Sequence, residues 1–349
     1  MLTGIRFPHK ISATELDQYL ESGWRPMGQG IYTTNFLRPE DGKIYGTFST
    51  RLPLNGYSFR KSLQKLLKRN RKKFTVKARK AALSKDILKV AEAYNEVFPD
   101  KGGTDIRFYL ENHRGERVFE TWEIAVYDGQ KMVAFSFYDI GATTLYSKIG
   151  LYDPEYGNYS LGIFTMLEEI QVGLDQGLSY YYPGYVAVGL PAFDYKHRIG
   201  QLEYYEIQTN QWRPYHLLDP CRTPLQQMKH SLEQVYDNLP PQLPVAGLFT
   251  YPQFDIKLSL PESLPYLDNP FILITTSPSR QEFSPFVTVF NPVQETYEIL
   301  QVLLVGGQLV PSMIQNAQKW QNLTVPLICT QPLFHDKQWE KVVNYLGKL

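Results

Sequence analysis

The chain has 349 residues, with 36 Lys or Arg against 35 Asp or Glu, 43% apolar and 20% charged, so it excludes a disordered acidic or basic tail and suggests about two globular domains. Two cysteines, Cys221 and Cys329, are too few for a disulfide framework or a cysteine-rich metal site, and no apolar run is long enough to cross a bilayer. The N-terminal MLTGIRFPHK lacks a charged start followed by a long apolar core, so a reduced cytoplasm is the expected compartment. The 25 Tyr and 19 Phe favour strands and aromatic-lined clefts.

Residues 14–22, TELDQYLES, open with a cap-like Thr and run into Gly23, which predicts a short helix before the turn GWRPMGQGIY. Alternation in IYGTFSTRL, residues 44–52, predicts a strand. The segment that follows is the most telling. Residues 60–80, RKSLQKLLKRNRKKFTVKARK, hold eleven Lys or Arg and no acid, and without them the chain has 25 basic and 35 acidic residues, a net charge of −10. Wound as a helix, the segment sets Lys61, Lys65, Lys68 and Lys72 on one stripe and Phe59, Leu63, Leu66, Leu67 and Phe74 opposite. A rigid line of cations suits phosphates along single-stranded or A-form RNA, because each neutralised phosphate releases condensed counterions. With Arg69 these lysines are the expected RNA contacts; a solvated basic face without a partner is the plainer reading.

Residues 76–97 predict a strand, a turn and a second helix. EIAVYDG, KMVAFSFYDI and TTLYSKIGLYD then alternate between apolar and polar, broken at Asp128-Gly129 and Gly141-Ala142, which predicts an antiparallel meander. LGIFTMLEEIQVGL, residues 161–174, carries Phe164, Leu167, Ile170 and Leu174 at helical spacing, and LSYYYPGY returns to strand character. Strands, helix, strand is the order of an α/β (α+β) acyltransferase core of the GCN5-related N-acetyltransferase (GNAT) type, a mixed sheet flanked by helices.

Residues 214–244 hold six prolines and a predicted helix over 225–239, reading as a connector. Beyond it, strands are expected at 271–276 and 286–290 and helices at 298–304, 310–320 and 339–346, a small C-terminal α/β region without a chemical motif. The expected division is 1–80 with the basic helix, 81–213 as the acyltransferase-like core, 214–246 as the Pro-rich connector and 247–349 as the C-terminal region.

Acetyltransferases of that fold grip coenzyme A with a glycine-rich loop at a helix N-terminus, where free N–H groups and the helix dipole favour anions. Here the corresponding residues are Asn158-Tyr159-Ser160-Leu161-Gly162-Ile163-Phe164, with bulk in place of the second glycine, which argues against coenzyme A. Ser160 and the N–H groups after it are left to receive a terminal phosphate or a carbonyl oxygen, or Ser160 is an ordinary N-cap.

SGWRPMGQGIY (22–32), YSFRKSLQKLLKRN (57–70), GLYDPEYGNYSLGIFTMLEEI (150–170) and GLSYYYPGYVAVGLPAFDYKHR (177–198), in this order and spacing, resemble the arginyl-tRNA-protein transferases and their bacterial leucyl-transferring relatives over residues 15–205. The resemblance implies transfer of arginine or leucine from aminoacyl-tRNA to the N-terminal α-amine of an acceptor protein or peptide. Such ester aminolysis needs a positioned, deprotonated amine, a proton acceptor and donors at the oxyanion, and no cofactor or metal.

Carried over by the same resemblance, Tyr152, Asp153, Ser160, Leu161 and Gly162 face the aminoacyl end, and Gly184, Tyr185, Tyr195 and Lys196 close the cleft. Tyr185, Asp153 and Ser160 are the catalytic candidates. Asp153 is assigned the donor's α-ammonium or side-chain cation, Tyr185 a hydrogen bond to the reacting carbonyl, and Lys196 a tRNA phosphate or an acidic acceptor end. For Tyr152, Tyr181 and Tyr182 sheet packing is the favoured reading, and Asp153 equally reads as a turn-forming Asp-Pro.

The N-terminal cysteines of those transferases are missing: residues 33–50 read TTNFLRPEDGKIYGTFST. His9, His113, His197, His216, His230 and His335 show no zinc-ligand spacing, and Gly-x-Ser-x-Gly is absent. Neither DNA nor a membrane is an expected partner. A different acyl transfer on the same fold, or a tRNA- or protein-binding module without catalysis, remain the other readings.

Overall fold

A computed structural model describes residues 2–99, 105–241, 243, 246–259, 264–276, 285–306 and 319–349. β1 (Thr3–Arg6), α1 (Ala13–Glu21), β2 (Arg25–Met27) and β3 (Gly30–Thr34) come first, the strands forming an antiparallel sheet in the order β1-β3-β2. α1 starts from Ser12 rather than Thr14. The Ser12 hydroxyl accepts the Glu15 N–H at 3.3 Å and the Glu15 carboxylate accepts the Ser12 N–H at 2.8 Å, a reciprocal cap, while Asp17, three residues after Thr14, accepts from Thr143 and Thr144 instead.

β4 (Phe36–Leu37) and β5 (Tyr45–Pro53) lead into α2 (Lys61–Lys73), β6 (Thr75–Lys80), α3 (Lys85–Val97) and the single turn α4 (Arg107–Leu110). The meander follows as β7 (Thr121–Asp128), β8 (Lys131–Ile140) and β9 (Thr144–Tyr152), antiparallel throughout and turned between β7 and β8 at Gly129, whose φ of +61° suits a tight hairpin. α5 (Leu161–Asp175) and β10 (Tyr180–Ala187) come next, then β11 (Glu203–Glu206) and β12 (Gln211–Pro214). These strands form one mixed sheet in the order β12-β11-β5-β10-β9-β8-β7-β6, with β4 beside β5.

α5 lies across β8, β9 and β10, with Leu161, Phe164, Leu167 and Ile170 fully buried. α2 packs on α5 through Leu63 and Leu67, 3% and 6% exposed, so the apolar side expected of the basic helix is the side that docks.

The break in this sheet positions the site. β10 pairs parallel with β9 at Tyr180–Thr144, Tyr181–Leu145 and Tyr182–Tyr146, and no pair follows. β9 runs on along β8 to Tyr152, whereas β10 bends and follows β5 through Gly184–Thr50 to Ala187–Thr47. Pro183 has no N–H to donate and Gly184 sits at φ +90°, so the bend falls where the ladder can be dropped at least cost. The parallel pair therefore opens as a fork beside α5.

A second core lies further on. α6 (Pro224–Asp237) packs against a sheet of β13 (Ala246–Thr250), β14 (Phe271–Thr276), β15 (Pro285–Asn291), β16 (Thr296–Leu304), β17 (Gln321–Asn322) and β18 (Leu327–Asp336), ordered β17-β13-β14-β15-β16-β18, with α7 (Trp339–Leu346) after it. Leu225, Met228, Leu232 and Val235 of α6 are buried in this core, so the helix inside the Pro-rich stretch is an integral part of it. The helix expected at 298–304 is instead β16. It hydrogen-bonds β15 on one side and β18 on the other, and its Tyr, Ile and Val residues suit a pleated surface. The helix expected over 310–320 falls on residues that, up to 318, lie outside those described.

Candidate functional site

Tyr185 follows the bend in β10, and the 3-10 turn Pro191–Arg198 folds back over it. Lys196, on that turn, is 7% exposed and donates from Nζ to the Tyr185 carbonyl at 2.6 Å. The Tyr185 ring lies 5.0 Å from the Phe193 ring, 5.3 Å from Lys196 Nζ and 4.9 Å from the Arg25 guanidinium carbon. Burial and then the neighbouring Arg25 hold the Lys196 amine down to about 7. Burial pushes the Tyr185 phenol well above its ordinary range, so it stays protonated at neutral pH and can donate to a developing oxyanion. Tyr195, on the same turn, is 43% exposed, yet burial and then Tyr94 and Glu169 push its phenol up to about 12, so its hydroxyl end faces the interior. Lys196 also points inward, away from any surface that a tRNA phosphate could reach.

The other predicted residues gather at the start of α5. Asp153 is 8% exposed, accepts the Glu155 N–H at 3.0 Å and pairs with Lys131 at 2.8 Å, so its charge already closes a turn and an ion pair. The turn-forming reading of Asp-Pro accounts for it. Tyr152 packs edge-on to Tyr94, with ring centres 5.4 Å apart, and a Cβ on Gly162 would stand 3.8 Å from the Tyr152 ring. Leu161, expected to touch substrate, is instead fully buried in the core, because the first apolar position of α5 faces the sheet.

Ser160 precedes α5 with φ 52° and ψ 47°, a left-handed conformation that costs a non-glycine residue about 1–2 kcal/mol, and its side chain caps no N–H. An ordinary N-cap is therefore not what it provides. The turn is held from α2: Asn70, fully buried, donates to the Tyr159 carbonyl at 2.8 Å, and Arg69 donates to the Tyr159 and Asn158 carbonyls at 3.0 and 3.4 Å. Arg69, grouped with the RNA contacts from sequence, is thus engaged within the fold.

Glu169 is a residue the sequence reasoning passed over. It is fully buried on α5, accepts the Tyr181 hydroxyl at 2.7 Å through Oε2, and has no hydrogen-bond partner at Oε1 among the described residues. The Ser136 and Ser147 hydroxyls lie beside it, and burial pushes its carboxyl up to about 7. Ser147 is the first residue of β9 past the last pair with β10, so it links the fork to this carboxyl. The available signal was the pair Glu168-Glu169 inside an otherwise apolar helix. Glu168, also buried, grips the exposed Arg71 with two bonds of 2.7 and 2.8 Å, whereas Glu169 has no ion-pair partner among the described residues.

The basic segment divides in the same way. Arg71 pairs with Glu168, Lys73 with Asp128, Arg79 with Glu123 and Lys80 with Glu120. Arg60, Lys61, Lys65, Lys68, Lys72 and Lys77 are exposed or half-exposed and make no ion pair among the described residues. β6 is the outer strand of its sheet, so α2 and β6 present one continuous cationic edge. Among the described residues, no group of three or more His, Cys, Asp or Glu is gathered to hold a metal ion, and no helix is long and apolar enough to cross a membrane.

Residues 69–206, which include the fork, α5 and the Lys196 turn, match the family described as "Arginine-tRNA-protein transferase, C terminus". An aspartate/glutamate leucyltransferase of Leptospira interrogans is 27% identical over 194 residues, 54% of this chain and 74% of that protein. One from Helicobacter hepaticus is 24% identical over 193 residues, 53% of this chain and 76% of that protein. The solved structure of L-PGS from Bacillus licheniformis is 14% identical with a TM-score of 0.35, covering 57% of this chain and 62% of that one, a likeness too low to carry an argument. The similarity to arginyl-tRNA-protein transferases is thus carried by residues 69–206.

Proposed function

We propose that this protein transfers an aminoacyl group from its tRNA ester to the N-terminal α-amine of an acceptor polypeptide, in the fork between β9 and β10. One observation carries the reading: the unpaired cationic face of α2 is bonded through Asn70 and Arg69 to the turn that opens α5, and that turn adjoins the fork. RNA held on one side of α2 is thereby placed against the reacting side. A parallel pair that splays beside a helix N-terminus also supports the GNAT-like core. The name of the relatives, aspartate/glutamate leucyltransferase, makes leucine the first donor residue to test.

In this scheme the amine attacks the ester carbonyl, the new C–N bond forms, and the C–O bond to the terminal ribose breaks. Tyr185 donates to the carbonyl oxygen as it gains charge. The proton released by the attacking ammonium passes by way of Ser147 to Glu169, and the departing ribose oxygen is protonated in turn. Lys61, Lys65, Lys68 and Lys72 contact phosphate. The second core, with α6, takes no step in this scheme.

The test is to incubate the protein with tRNA charged with radiolabelled leucine or arginine and with peptides of differing first residue. Label in the peptide that requires charged tRNA and a free α-amine is the expected result. Retention of charged and uncharged tRNA alike with no labelled peptide would make the protein a binding module. On the same scheme, Asn70→Ala should cost about 1–2 kcal/mol of stability, because it removes the bond from a fully buried amide to the Tyr159 carbonyl and leaves Arg69 as that carbonyl's donor. It should also slow transfer while tRNA retention on a filter is unchanged; a loss of retention instead would make Asn70 an RNA contact.

A further inference from the structure

We propose that the cleft between the β2–β3 turn and α4 binds the acceptor polypeptide beyond its first residues, and that its occupant is an extended segment bearing apolar side chains. This rests on the transfer reading above and adds the surface along which the acceptor leaves the fork. The cleft has a volume of about 1010 Å³, at the upper end of the sites that bury a drug-sized ligand. Ile5, Met27, Val118 and Leu258 give it an apolar lining, and Phe7 and Phe108, 64% and 42% exposed, stand among its walls.

Two glycines of the turn seat those rings. A Cβ on Gly28 would stand 2.5 Å from the Phe108 ring, and its φ of +58° is one that other L-residues adopt only under strain. A Cβ on Gly30 would stand 3.2 Å from the Phe7 ring. Bare backbone thus supports both phenylalanines while much of each stays exposed. Two exposed rings over an apolar floor, edged by charged groups, are the composition of an interaction site.

The place of the cleft in the fold selects the occupant. Ala134, Tyr138 and Leu145 of the central sheet pack with α2 and α5, whereas Phe135 and Phe137 pack with α3 and with Leu110 of α4. The cationic stripe of α2 and the α4 side of the cleft therefore lie on opposite faces of that sheet. β2 links the cleft to the fork: Arg25 lies 4.9 Å from the Tyr185 ring, the Pro26 carbonyl accepts the Tyr146 hydroxyl at 3.3 Å, and Met27 lines the cleft. From Arg25 to Met27 is about 7 Å of strand, the span of two extended residues. An acceptor whose amine stands beside Tyr185 thus brings its side chains into the cleft from about the third residue onward. RNA is the other polymer in the reaction, but Arg107 and Arg114 share the cleft wall with Asp105, Glu111 and Glu116, which gives a polyanion no net attraction.

The experiment uses the full chain and two peptides with a common polar tail, one opening Asp-Ala-Leu-Leu-Leu and the other Asp-Ala-Ser-Ser-Ser, in calorimetric binding beside the transfer assay. The leucine peptide is expected to bind about tenfold or more tightly, the scale of burying two or three apolar side chains less the cost of ordering them. Phe108→Ser and Phe7→Ser, both at exposed rings, should each shrink that preference by weakening the leucine peptide alone, with circular dichroism and tRNA retention unchanged. Leucine and serine peptides that bind alike to the natural chain, or a preference that survives in both variants, overturn the cleft as an acceptor site. Loss of tRNA retention in the folded variants would give the cleft to RNA and overturn it as well. A leucine preference in binding that both variants lose, with no labelled product from any peptide, would leave the cleft standing and remove the transferase reading instead.

Discussion

Changing Lys61, Lys65, Lys68 and Lys72 together to glutamate is expected to abolish tRNA retention and leave the fold intact. All four side chains are exposed and free of ion pairs among the described residues, whereas the helix is anchored by Leu63, Leu67 and Asn70 on its other face. Each phosphate contact contributes about 0.7–0.9 to the slope of log affinity against log salt. Losing four contacts should flatten that slope by about 3 and lower affinity more than about 100-fold at moderate salt. Filter retention across a salt series measures both, and circular dichroism reports the fold. A folded variant with unaltered affinity would remove RNA from α2. Neutralising Arg69 instead should act mainly on the α5 turn, because its donors are already spent on the Asn158 and Tyr159 carbonyls.

The second large effect is expected at Glu169. Its carboxyl is pushed up from an ordinary 4.5 to about 7 by burial, so the folded state holds a proton that the unfolded state has released anywhere between those values. Stability therefore falls as pH rises through 4.5 to 7, and above 7 the native chain carries a penalty of at most about 3 kcal/mol. Glu169→Gln keeps the shape and can still accept the Tyr181 hydroxyl, but cannot ionise. It should match the natural chain below pH 4.5 and exceed it in stability above pH 7, by urea denaturation at each pH.

As the proton acceptor is removed, the transfer rate should fall about 10²–10⁴-fold, and its rise with pH near neutrality should disappear. A group that destabilises the fold in the pH range where it works is the usual cost of an active-site carboxyl. Full activity with an unaltered pH profile in this variant would exclude Glu169 from the proton path.

Much of this architecture was readable in advance, and the readable parts share a cause. The basic segment, the meander of β7, β8 and β9, α5 and β10 are each specified by a local period, and their apolar faces turned inward as the period required. β16 shows the limit: EILQVLL has no clear alternation, and pairing on both edges made it a strand. α6 shows another, since six prolines suggested a tether while Leu225, Met228, Leu232 and Val235 at helical spacing were burying themselves in the second core.

For the proposed site, the sequence by itself supplied the candidates: the lysines of α2, the Ser160 turn, and Tyr185 and Lys196, both after the bend at Gly184. Only the tertiary structure decided what each could do. It closed Asp153 onto Lys131, spent Arg69 on backbone carbonyls, sank Leu161 into the core and brought Arg25, 171 residues away in the chain, beside Lys196. It also carried Glu169 to the fork through Ser147. The reason is physical: a period along the chain specifies which face of an element is buried, whereas proton affinity and charge pairing depend on desolvation and on neighbours that only folding brings near.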